Sequence, residues 1–117
     1  LVLINTVKAI YIDVYALRPV LTAVYGGLSG PPIHPIAVRV VYDVYREYQA
    51  EIIGVGGILD WKTAAEFIVA GAKAVQVGTA LVSNDRIVED VLEGLRKWLQ
   101  YFGAGSITEL VGAAHKA

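Results

Sequence analysis

The chain has 117 residues, 56% of them hydrophobic, with a mean hydropathy of +0.54 and a formal net charge of −1. That length allows one domain, residues 1–117, with a modest core, and the near-zero charge speaks against a nucleic-acid-binding surface. No apolar run is long enough to span a bilayer, and with no cysteine there is neither a disulfide framework nor thiolate chemistry. Leu1-Val2-Leu3-Ile4 is a continuous apolar run, as expected of a parallel strand covered on both faces, and Asn5-Thr6 ends it. No basic region precedes it, so it does not read as a signal peptide, and a cytoplasmic location is the default expectation. A chain that lacks methionine and opens inside a strand is expected to be the C-terminal part of a longer protein.

Ile10 to Tyr15 is a second β-prone patch around Asp13, which Arg18-Pro19 is expected to break. Gly26-Gly27-Leu28-Ser29-Gly30-Pro31-Pro32 is dense in glycine and proline and reads as a long functional loop. From Ala37 to Tyr48 the apolar residues recur with helical spacing, leaving Arg39, Asp43, Arg46 and Glu47 on the polar face. Glu51–Val55 is the next strand. Asp60 is a candidate N-cap for a helix burying Trp61, Ala64, Ala65 and Ile68, with Gly71 as its stop. Ala74–Val77 follows as a strand. Asn84 or Asp85 is expected to cap a helix with Ile87, Val88, Val91, Leu92, Leu95, Trp98 and Leu99 on one side. Ser106-Ile107-Thr108-Glu109 matches a capping box and opens a short last helix through Val111.

This order is βα repetition, and right-handed crossovers are expected. Three principal strands cannot close an eight-stranded barrel, so the predicted fold is α/β: the C-terminal three βα units of a (β/α)8 barrel, incomplete in this chain. The turns Gly54-Val55-Gly56-Gly57 and Val77-Gly78-Thr79 each close a short strand and precede a helical stretch. In a parallel barrel the loops after the last two strands grip a phosphate. Glycine lets backbone N–H groups approach the anion, and a following helix N-terminus adds positive potential. The alternative is a pair of ordinary tight turns without a ligand.

Several motifs together resemble the dihydroorotate dehydrogenases over essentially the whole chain. They are Asn5-Thr6, Ile12-Asp13, Arg18-Pro19-Val20-Leu21, Gly26-Gly27-Leu28-Ser29-Gly30-Pro31, Pro35-Ile36-Ala37, Ile53-Gly54-Val55-Gly56-Gly57-Ile58, Ala70-Gly71-Ala72 and Val75-Gln76-Val77-Gly78-Thr79-Ala80. The Asn-Thr, Ile-Asp and Arg-Pro pairs look most like the soluble class that passes electrons to NAD through a partner subunit. The resemblance implies an FMN enzyme of pyrimidine synthesis that oxidises dihydroorotate to orotate. It implies that Asn5 and Thr6 bind the pyrimidine substrate, that Ile4 flanks the flavin ring, and that Gly30 contacts FMN. Gly56, Gly57, Gly78 and Thr79 match the donors that hold the FMN phosphate. It also implies a missing N-terminal barrel half, an electron-transfer subunit and a homo-oligomeric full protein. The family's catalytic cysteine and a flavin-neutralising lysine lie in that earlier half, so this chain resembles a cofactor-binding portion rather than a complete catalyst, and no catalytic residue is assigned within it.

The remaining candidates have plainer readings. His34, between prolines, reads as an exposed loop histidine rather than a general base, and His115 as an exposed terminal one. Asp13 has no partners at metal-ligand spacing, so no metal is expected. Tyr11, Tyr15 and Tyr25 read as core or subunit-interface residues rather than stacking platforms for bases. Two other functions stay open: a flavin-free, phosphate-gripping barrel isomerase or lyase, and a non-catalytic part-barrel.

Overall fold

The computed structural model describes residues 1–116. The first strand, β1 (Val2–Leu3), is followed by a protruding arm of four short strands. These are β2 (Val7–Ile10), β3 (Ile12–Asp13), β4 (Arg18–Pro19) and β5 (Tyr25–Leu28). They pair antiparallel as β2 with β5 and β3 with β4. A 3-10 turn, Pro31–Ile33, leads into α1 (His34–Tyr48), which starts with proline in its first turn, where the missing N–H costs nothing. Strand β6 (Ile53–Val55), α2 (Trp61–Ala70), β7 (Ala74–Gln76), the four-residue α3 (Ala80–Ser83) and α4 (Ile87–Phe102) follow. Two 3-10 turns, Ile107–Leu110 and Ala113–Lys116, end the described chain.

The arm departs from the expectations. Arg18-Pro19 does not break the second patch; it pairs with it, Ile12 opposite Pro19 and Asp13 opposite Arg18. A two-stranded ribbon has only edge strands, where proline's lack of a donor is tolerated. The chain reverses earlier, where Asp13 Oδ1 accepts from the backbone N–H groups of Tyr15 at 2.9 Å and Ala16 at 3.0 Å. Nor is the glycine-rich segment a loop throughout: Tyr25–Leu28 is a strand, with Gly27 opposite Lys8 and Gly26 opposite Ala9. Its glycines provide space. A Cβ on Gly26 would lie 2.6 Å from Leu21 Cδ1, and one on Gly27 would collide with the Thr6 side chain.

β1, β6 and β7 form a parallel sheet in the order β1-β6-β7, with Leu3, Gly54 and Val75 in register. That row faces the helices. Gly54 is covered by the Phe67 ring so closely that a Cβ would sit 2.6 Å from it. Phe67, Ile68, Ile52, Val41 and Ile87 are the largest fully buried side chains. Because strand side chains alternate, Val2, Ile53, Val55, Ala74 and Gln76 point to the opposite face; Val2, Ala74 and Gln76 are exposed there and Ile53 and Val55 half-buried.

The helix boundaries follow their capping residues. Asp60 and Thr63 form a reciprocal capping box at the start of α2, and Gly71 ends that helix with φ 133°. In α4, Ile87, Val91 and Leu95 are buried, but Val88 and Leu92, expected on the same side, are exposed. Its N-cap is Arg86, without a side-chain cap; Asn84 instead accepts from the Arg86 N–H at 3.0 Å. The last helix is a 3-10 turn, because Ser106 caps Thr108 two residues on, at 3.1 Å, and Glu109 takes the Gly105 N–H, at 2.7 Å.

Candidate functional site

The C-terminal ends of β1, β6 and β7 and the end of the arm converge on one cleft of about 150 Å3. All eight residues to which the resemblance gives a substrate or cofactor role line it: Ile4, Asn5 and Thr6 after β1, Gly30 after β5, Gly56 and Gly57 after β6, Gly78 and Thr79 after β7. Ser29, Ile33, Val55 and Ile58 complete the lining, so among the described residues no charged side chain faces the cleft. A larger groove of about 470 Å3 lies among Trp61, Trp98, Tyr101 and Phe102 on the helices. It has aromatic walls and few convergent polar groups, so chemistry rather than size selects the strand-end cleft.

An anion here would meet neutral donors. Among the described residues, no backbone carbonyl accepts from the N–H groups of Gly56, Gly57, Gly78 or Thr79. Gly56 and Gly57 adopt φ 134° and 67°, a region open to glycine and strained for other residues. A Cβ on Gly57 would lie 2.7 Å from the Gly30 carbonyl oxygen, whereas one on Gly78 would meet nothing within 4 Å. The β6 loop is thus shaped by its neighbours, and the β7 loop borders open space. Thr79 Oγ1 donates to Ser29 Oγ at 2.9 Å, tying the end of the arm to the β7 loop. That bond uses one of two hydroxyl protons and leaves the other free. Asn5 Oδ1 accepts from the Thr6 N–H at 2.7 Å, so the acceptor of this amide is engaged and its NH2 group is available.

The helix dipoles contribute less than the glycine turns imply. The carboxylate of Asp60 occupies the N-terminus of α2, where the Thr63 N–H bond holds its pKa below the usual carboxylate value. The Gly78-Thr79 turn is followed only by the four-residue α3. The donors that an anion would meet here are backbone N–H groups.

Both histidines are corrections. His34 is buried within the first turn of α1, at 6% exposure. Its Nδ1 lies 2.7 Å from the Gly56 carbonyl oxygen, and its ring meets Phe67 edge-on at 5.0 Å. The helical row that buries Ala37 and Val41 extends back three residues to His34; that spacing was the signal, hidden by the flanking prolines. His115 is half-buried, stacked on Tyr42 at 3.9 Å, with Nε2 2.7 Å from the Ala70 carbonyl oxygen. Asp13 serves its turn, with its pKa lowered by the Ala16 and Tyr15 N–H groups. Among the described residues no cluster of potential ligands could hold a metal ion, and no helix is long and apolar enough to cross a membrane.

The family model described as dihydroorotate dehydrogenase matches residues 1–99. The chain belongs to the dihydroorotate dehydrogenase family. It is 51% identical over its whole length to an Aeropyrum pernix protein with the provisional name dihydroorotate dehydrogenase A (fumarate), covering 39% of it. It is 49% identical, over 97% of the chain and 38% of the relative, to the Pyrococcus furiosus dihydroorotate dehydrogenase B (NAD(+)) catalytic subunit. A solved DHODH from Eimeria tenella, in complex with ferulenol, superposes with a TM-score of 0.79 at 29% identity, over 99% of this chain and 31% of that one. The chain therefore spans about two fifths of the length of the curated dihydroorotate dehydrogenases it matches.

Proposed function

We propose that this chain is the FMN-gripping part of a dihydroorotate dehydrogenase that oxidises dihydroorotate to orotate in pyrimidine synthesis. One observation carries the reading: residues 4–6, 30, 56–57 and 78–79, far apart in sequence, line a single cleft at the strand ends. The donor set fits the cofactor's phosphate. The N–H groups of Gly56, Gly57, Gly78 and Thr79 have no backbone partners among the described residues, and a hydroxyl proton is to spare at Thr79 and Ser29. FMN supplies the hydride-accepting chemistry when bound, while the protein supplies orientation and electrostatics. On this reading Ile4 packs beside the flavin ring, Gly30 lies against FMN, and Asn5 and Thr6 face the pyrimidine, with the free Asn5 NH2 donating to a substrate oxygen.

The uncovered sheet face, with Val2, Ile53, Val55, Ala74 and Gln76, fits three βα units of a closed barrel whose remaining units belong to the missing half. The catalytic cysteine that the resemblance implies belongs to that half as well, since this chain contains none. Similarity to the NAD-linked catalytic subunit supports a cytoplasmic enzyme that passes electrons to a partner subunit. The exposed Tyr11, Tyr15 and Tyr25 of the arm support a homo-oligomer.

The test is Asn5→Ala in the full-length protein. Losing one oriented amide donor costs roughly 1–3 kcal/mol of substrate binding, read as a rise in dihydroorotate KM, while FMN content stays near stoichiometric. Loss of flavin with substrate binding intact would reject the role given to Asn5. A full-length protein that purifies colourless would reject the flavin reading in favour of a phosphate-gripping isomerase or lyase.

A further inference from the structure

A carbonyl oxygen only accepts, so the His34–Gly56 bond assigns the proton to Nδ1 and makes the imidazole the donor. Among the described residues the Gly56 carbonyl has no backbone partner, so this bond is its anchor. In a trans peptide the carbonyl and the following N–H point to opposite sides. With the Gly56 oxygen held by His34, the Gly57 N–H is turned away from α1, on the side where Gly57 lines the cleft. Two successive glycines at positive φ leave a loop with many alternative conformations. His34 is itself held by α1 and by the edge-on contact with Phe67, while its Nε2 has no hydrogen-bond partner among the described residues.

We propose that His34 is a positioning residue for the anion-gripping loop: its Nδ1–H selects the one orientation of the Gly56–Gly57 peptide that presents the Gly57 N–H to a phosphate. The proposal rests on the FMN reading above. It requires a donor at the position of Nδ1 and not merely a buried polar side chain. That requirement separates two amides, because Asn places its NH2 near the Nδ1 position and Gln places it near Nε2.

The experiment measures FMN affinity of the full-length protein by fluorescence quenching, and the environment of the bound phosphate by 31P NMR, for wild type, His34→Phe, His34→Asn, His34→Gln and Val41→Ala. His34→Phe should weaken FMN binding about tenfold or more, the loss of the Gly57 N–H bond to the charged phosphate, and move the 31P resonance. His34→Asn should restore both to near wild type, and His34→Gln should resemble His34→Phe. Val41→Ala, a cavity in the same buried row, should lower the melting midpoint and leave FMN affinity and the resonance unchanged. Wild-type affinity in His34→Phe, equal rescue by Gln and Asn, or a Val41→Ala effect as large as that of His34→Phe would each overturn the proposal alone. Wild-type protein that takes up no FMN would overturn the flavin reading and this proposal with it.

Discussion

Two stretches of similar apolar content have opposite fates. Between Val7 and Leu28 no residue is buried, although Ile10, Ile12, Val14, Leu17, Val20, Leu21 and Val24 all lie there; Tyr15 is 96% exposed and Leu17 84%. In the ten residues of α2, by contrast, Ala64, Ala65, Phe67, Ile68 and Ala70 are all buried. A helix collects apolar residues onto one stripe and buries it against a sheet. A two-stranded ribbon has no second layer and little stability of its own. Apolar composition therefore predicts burial only where a second layer exists to receive it, and the arm's side chains are surface that another chain can cover.

The largest test of this contrast is a pair of aromatic truncations in the full-length protein. Phe67→Ala removes a fully buried ring from beneath Gly54 and should cost about 3–5 kcal/mol in denaturant unfolding. Tyr15→Ala should stay within about 0.5 kcal/mol of wild type while weakening self-association in sedimentation. An unfolding cost for Tyr15→Ala close to that of Phe67→Ala would show the arm packed inside the full protein and would end the contrast.

The same contrast sets what the sequence makes legible. Asp60 and Gly71 mark the ends of α2 because capping is local chemistry, and the glycine turns after β6 and β7 are legible at the cleft because they follow strands of a parallel sheet, whereas Ile4, Asn5, Thr6 and Gly30 are named there by the family resemblance alone. The arm was less readable. Gly26 and Gly27 read as loop residues, yet they lie in a strand because Leu21 and Thr6 need the space, a tertiary cause that no local pattern carries. His34 and His115 differ from their expected exposure for a related reason. Each is fixed by a carbonyl distant in sequence, Gly56 or Ala70.

An intermediate effect separates shape from ligand at the cleft. Gly57→Ala forces alanine to φ 67° against the Gly30 carbonyl, costing about 1–3 kcal/mol of stability as well as FMN affinity. Gly78→Ala adds a methyl where nothing lies within 4 Å, so its stability should change by less than about 0.5 kcal/mol. If the cofactor's phosphate lies there, FMN affinity should still fall roughly tenfold, about 1.4 kcal/mol. Flavin titration beside a thermal melt reads both quantities, and unchanged affinity in Gly78→Ala would remove the β7 loop from the site.

The smallest effect compares two aspartates with the same local chemistry in the two regions. Asp60 caps α2 and Asp13 closes the turn of the arm; each has its pKa lowered first by a backbone N–H, from Thr63 and Ala16 respectively. A carboxylate whose folded-state pKa is depressed contributes stability above its unfolded value of about 4, and that contribution disappears as pH falls through the lower folded value. Asp60→Ala should cost about 1 kcal/mol at pH 7, and the gap from wild type should close on acidification because protonated Asp60 accepts from Thr63 poorly. Asp13→Ala removes a turn whose tip, residues 14–17, is exposed and which supports no buried layer, so the global unfolding midpoint should stay put at every pH. Its effect should appear instead as faster proteolytic cleavage near Tyr15-Ala16. A global, pH-dependent loss in Asp13→Ala equal to that of Asp60→Ala would mean that the arm and the helical layer unfold as one cooperative unit, with the ribbon fully coupled to the core despite its exposure.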